Sequence, residues 1–139
     1  MLTNAELLTI KAELTNDPLS LGLTTLPADD EANANKLNET RETILVYRAS
    51  VPSDDILIPV DEWAGLTSGQ QSWWDNQTRD GTVKPSVIAS EFFKLFADGT
   101  QARANFESAT KEASSRAIQL LGKYVYLTPS DIANARQAV

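Results

Sequence analysis

KPSVIASEFFKLFADGTQARANFESATKEASSRAIQLLG, residues 84–122, holds the densest helical signals and all four phenylalanines of the chain. Pro85 suits a first helical position, where its missing N–H costs nothing. Val87, Ile88, Phe92, Leu95 and Phe96 then recur at helical spacing, and Phe93 widens the stripe. Asp98-Gly99 ends the run, because Gly99 can take a left-handed conformation cheaply. Thr100 suits the N-cap of a second helix with Ala102, Phe106 and Ala109 on one face. Ser114 or Ser115 allows a break. Ala117, Ile118, Leu120 and Leu121 form an apolar end that Gly122 stops. The spacing predicts two or three short helices packed by Phe92, Phe96, Phe106, Ile118 and Leu121. Stripes of this kind bury a helix face, so the aromatic cluster reads as core rather than as a ligand pocket.

The flanking chain reads as elements packed around this stretch. Thr3 and Glu6 form a capping-box pattern ahead of Leu7, Ile10 and Leu14, which predicts a helix over residues 4–15. Asn16-Asp17-Pro18 ends it. Residues 18–27, PLSLGLTTLP, form an apolar loop in which Gly22 permits a tight bend. Its leucines must pack, either on the chain's own core or on a neighbouring subunit. Asp29, Asp30 and Glu31 suit the start of a short helix ending near Asn38; calcium-loop spacing is missing. Ala32, Ala34 and Leu37 give that helix a thin apolar face. Residues 42–51 are β-branched and aromatic and lean towards an extended segment, with a longer helix as the alternative. Ser53-Asp54-Asp55 predicts a short helix carrying Ile56 and Leu57, and Asp61-Glu62-Trp63 a further turn after Pro59. Thr67 and Gln70 form a second capping box ahead of Trp73 and Trp74, on a helix that ends by Asp80-Gly81. Adjacent tryptophans point about 100° apart on a helix, so one is left at the edge of a core or at an interface. Lys123–Leu127 alternates polar and apolar and predicts a short strand pairing with residues 43–48. Thr128-Pro129-Ser130-Asp131 caps a final helix lined by Ile132 and Ala135. The fold class is therefore mainly α, a compact bundle of short helices with one small two-stranded β element. The 139 residues suit one domain, 1–139, with one core.

Composition narrows the chemistry. Histidine and cysteine are both absent, which removes the commonest general base, the thiolate nucleophile and zinc–cysteine sites. No glycine-rich phosphate loop or G-x-S-x-G pattern occurs. The acidic pairs Asp29/Asp30, Asp54/Asp55 and Asp61/Glu62 stand where helices start and read as caps. No catalytic, cofactor-binding or metal-ligating residue is assigned, and an enzyme is not expected. No run of 18 apolar residues or signal-peptide pattern is found, so no membrane association is expected. Net charge is −7. Residues 1–70 hold 4 Lys/Arg against 12 Asp/Glu, and residues 71–139 hold 8 against 7. The acidic half opposes nucleic-acid binding. Residues 114–136 have helix-turn-helix-like spacing, yet only Arg116, Lys123 and Arg136 could meet phosphates.

Two stretches carry a family resemblance. AELLTIKAELTNDPLSLGL, followed by KLNETR, resembles the start of small proteins encoded with the structural genes of tailed bacteriophages. SSRAIQLLG followed by TPSDIANAR is similar to the ending of the same group. Gly22-Leu23 departs from the Gly-Tyr of that pattern. The matching motifs are structural and cover about a third of the chain. The resemblance implies a virion protein of the head–tail connector, neck or tail, with other phage structural proteins as partners and a homo-oligomer or ring as its state. An assembly factor absent from the particle and a small nucleic-acid-binding regulator are the alternatives. Apolar residues in loops and at the tryptophan pair make Leu19, Leu21, Leu23, Trp73 and Trp74 the expected partner contacts.

Overall fold

The computed structural model describes residues 1–139. Eight α-helices and four short strands follow in the order α1 (Asn4–Asn16), α2 (Asp30–Asn38), β1 (Thr40–Tyr47), β2 (Val51–Pro52), α3 (Val60–Ala64), α4 (Ser68–Gln77), β3 (Thr82–Val83), α5 (Pro85–Leu95), α6 (Gln101–Thr110), β4 (Lys111–Ser115), α7 (Arg116–Leu121) and α8 (Pro129–Gln137). The mainly α class with small two-stranded β elements is as the sequence predicts. The chain divides into two compact units. Residues 1–45 and 113–139 make a split unit, and residues 46–112 make a continuous one.

In the split unit α8 packs on both α1 and α2, and α7 packs on the same two helices. Its core holds Ile10, Leu14, Leu23, Leu37, Leu127 and Ile132, with Ala34, Ala117 and Ala135 where helices approach closely. The caps that start α1 and α8 are the ones read from sequence: Thr3 with Glu6, and Thr128 with Asp131, each a reciprocal pair. Asn33 is fully buried in α2, and its side-chain amide accepts from Thr24 N and donates to Thr24 O. The thin apolar face of α2 is thus supplemented by a buried polar clamp on the preceding loop.

The continuous unit is built on Phe92. Its ring stacks on Phe106 at 4.4 Å between centroids and meets Phe96 at 4.9 Å and Trp74 at 5.3 Å. Val51, Val83 and Ile88 complete the core, and β2 pairs antiparallel with β3. Thr100 and Glu62 together satisfy the start of α6. The Thr100 hydroxyl accepts from Arg103 N, and the Glu62 carboxylate accepts from Gln101 N and Ala102 N. A carboxylate at a helix N-terminus is favoured by the exposed N–H groups and the dipole.

Several expectations are corrected. The length suggested one core, and two separate clusters are present. Phe92, Phe96 and Phe106 share a core, but Leu121 packs on the other one, because residues 113–122 belong to the split unit. β1 pairs with β4, not with residues 123–127. The latter run forms no strand; the Asn38 side chain takes the N–H and C=O of Leu127 in the place of a ladder partner. Ser53–Asp55 makes a single 3-10 turn, and Ile56 leaves it in an extended conformation rather than continuing a helix. Val87 and Ala32 are exposed, and α5 ends at Leu95, ahead of Gly99.

Phe92→Ala would remove the ring that meets four aromatic neighbours, Trp74, Phe93, Phe96 and Phe106. It is expected to cost about 3–5 kcal/mol, measured by chemical denaturation. Conservative Phe92→Leu should recover more than half of that loss.

Candidate interaction surfaces

The leucine loop is ordered by one carboxylate. Asp17 caps α1 in a left-handed conformation, and its side chain turns back over the loop. Oδ1 accepts from Leu21 N at 2.8 Å, and Oδ2 accepts from Gly22 N at 2.9 Å and Leu23 N at 3.2 Å. Lys36 Nζ donates to Gly22 O at 2.8 Å, and Gly22 itself sits at φ 81°, which a side chain would strain. The D-P-L-S-L-G element is therefore a self-capped turn. It directs its leucines in three ways. Leu23 is buried in the split unit's core, Leu21 is half-buried against it, and Leu19 is 44% exposed. Leu26, further along, is 59% exposed.

The tryptophan pair divides in the same manner. Trp74 is buried against Phe92, and Trp73 is half-buried at the edge of that core. Of the five expected contacts, Leu23 and Trp74 are core residues of their units, while Leu19, Leu21 and Trp73 keep surface. Other apolar side chains are exposed as well: Leu57 and Val60, which carried no periodic signal, and Tyr124 and Tyr126. For the two tyrosines the alternation of KYVYL was the available clue, since Val125 and Leu127 face inward.

Charge is spread differently from the sequence halves. The split unit has 6 Lys/Arg against 9 Asp/Glu, and the continuous unit 6 against 10, so both are acidic. All six cations of the split unit are engaged internally. Arg116 grips Glu13 through two bonds, of 2.6 and 3.0 Å, and Arg136 grips Asp30 through two of 2.8 Å. Lys123 pairs with Glu6 at 2.6 Å and Arg41 with Glu39 at 2.9 Å. Lys11 donates to Ala138 O and Lys36 to Gly22 O. The three cations of the helix-turn-helix-like segment are thus all neutralised, and seven residues separate α7 from α8. Phosphate contacts would have to break these pairs.

The acidic pairs do not gather into a group of three or more metal-type ligands. Asp30 meets Arg136, Asp29 accepts from the Thr24 hydroxyl, and Glu62 caps α6. The Arg136 guanidinium holds the Asp30 carboxyl below its usual range, and the Lys123 ammonium, followed by the Thr3 N–H, does the same for Glu6. Comparison with protein-family models, curated proteins and solved structures returns no match.

Carboxyls with depressed pKa values contribute stability above their unfolded pKa of about 4 and lose it as pH falls through the folded value. Denaturation midpoints should therefore drop as pH falls below about 4, and Asp30→Asn should flatten part of that drop. At neutral pH, Glu13→Gln leaves the mostly buried Arg116 without its counter-charge and is expected to cost about 3 kcal/mol by denaturant titration.

Proposed function

We propose that the chain is a non-enzymatic structural protein of a tailed bacteriophage particle, in the head–tail connector, neck or tail. It acts as a repeated subunit and works by contacts with further copies and with other particle proteins. The observation that carries this reading is the loop held by Asp17. It is fixed by the chain's own hydrogen bonds, yet it holds Leu19 outward in water. An ordered loop that exposes a large apolar side chain suits a protein contact, where preorganisation lowers the cost of binding. The resemblance of residues 5–23 and 114–136 to phage structural-region proteins points the same way. The engaged cations of the split unit argue against the nucleic-acid-binding alternative.

Mass spectrometry of purified particles tests the role. Peptides of this chain at the level of other minor structural proteins support it; their absence from intact particles favours an assembly factor. Leu19→Ser should leave stability within about 0.5 kcal/mol of the parent while lowering incorporation. Leu23→Ala, a core change, should cost about 2–3 kcal/mol whatever its effect on assembly. Equal incorporation of Leu19→Ser and the parent would remove the loop from the contact.

A further inference from the structure

In the continuous unit, the turn Ser53–Asp55 and the extended run Ile56-Leu57-Ile58-Pro59 stand beside α3 and the end of α4. They enclose an open cleft of about 350 Å³ with Leu57, Ile58, Trp63 and Trp74 as its apolar lining and Asp54 and Asp75 as its carboxylates. Leu57 is 66% exposed, and the neighbouring Val60 is 85% exposed. A second cleft of about 490 Å³ shares Asp54 and Leu57 with the first.

Two features give the cleft a net negative field, with Arg48 in the adjoining cleft beside Asp54 and Asp55 and Arg79 just past α4, its guanidinium on Asn76 Oδ1, as the cations nearest to it. The ion pairs of this unit are Lys94–Glu91, Arg103–Asp98 and Lys111–Glu107, so none of its cations pairs with Asp54 or Asp75. Asp75 also lies near the C-terminus of α4, whose last turn carries no basic residue. An acid placed there adds to the negative end of the helix dipole, where a cation is favoured.

We infer that this cleft is a docking site for a segment of another protein that presents a large apolar side chain next to lysine or arginine. The inference rests on the reading of the chain as a protein-binding subunit and names the partner's chemistry. The apolar side chain covers Leu57 and the half-buried Trp63, and the cation meets Asp54 and Asp75. A small molecule fits less well, because small-ligand sites enclose most of the ligand, about 70–90% of its surface, and this cleft is open. The adjoining cleft across Leu57 suits an extended or helical segment that continues past the first contact.

The test titrates the intact chain, labelled with nitrogen-15, with a synthetic Leu/Lys peptide and with a Leu/Glu peptide of equal length. The expected result is amide shifts concentrated at residues 53–58 and 74–78 and at the Trp63 and Trp74 indoles, with the Leu/Lys peptide only. D54N/D75N should weaken binding about tenfold, whereas D80N/E112Q, which removes the same charge outside the cleft lining, should bind within about twofold of the parent. Circular dichroism of both variants checks that the fold is kept. Shifts scattered over the acidic surface, equal loss in the two variants, equal binding of the Leu/Glu peptide, or no binding would each overturn the site. Any of these would leave the particle role standing, because that role is read from the particles themselves.

Discussion

Closure of the split unit is the constraint that joins the two ends of the chain. Residues 1–45 supply Ile10, Leu14 and Leu37 but cannot bury them alone; residues 113–139 bring Ala117, Leu127, Ile132 and Ala135 to cover them. Glu13 and Arg116 are 103 residues apart in the chain, Asp30 and Arg136 are 106 apart, and Asn38 and Leu127 are 89 apart. Ordering such distant segments carries a loop-closure cost that grows only slowly with length, so a whole unit can stand between them. The apolar cover supplies the free energy. The two bidentate ion pairs supply register, because a guanidinium fork fits a carboxylate in one geometry.

The continuous unit solves the same problem locally. Phe92, Phe96 and Phe106 lie within one helical hairpin, and α3 reaches α6 through Glu62, whose carboxylate completes a helix start 39 residues away. Its core is aromatic and compact, and it leaves Leu57 and Val60 in water between and beside the covered Ile56 and Ile58. In the split unit the leucine loop is likewise kept partly in water by Asp17. Both exposures come from chain geometry that is fixed, not from fraying ends. That combination of order and exposure links the fold to a role in protein contacts.

Local chemistry was legible in the sequence and long-range partnership was not. Thr3/Glu6, Thr67/Gln70 and Thr128/Asp131 each announced a helix start, because a capping box is written within four residues. Gly122 and Asp17 marked helix ends in the left-handed region. The strand Lys111–Ser115 was missed, since Lys-Glu-Ala-Ser-Ser has almost no β propensity and is extended through its pairing with β1. Leu121 was assigned to the wrong core because periodicity says which face is buried, not against what. The partners of Asn38, Asn33 and Glu62 gave no signal, as these side chains serve backbone groups that only the fold brings near. The surface cleft was illegible for the same reason, although Trp63, Trp74 and the Ile56–Ile58 run each stood out as apolar.

The most direct measurement compares separate fragments by nitrogen-15 NMR. The account predicts that residues 46–112 alone give a dispersed, native-like spectrum, and that residues 1–45 alone are disordered until residues 113–139 are added. A disordered 46–112 fragment, or a 1–45 fragment that folds without its complement, would contradict the division into one self-sufficient core and one closed by the two ends of the chain.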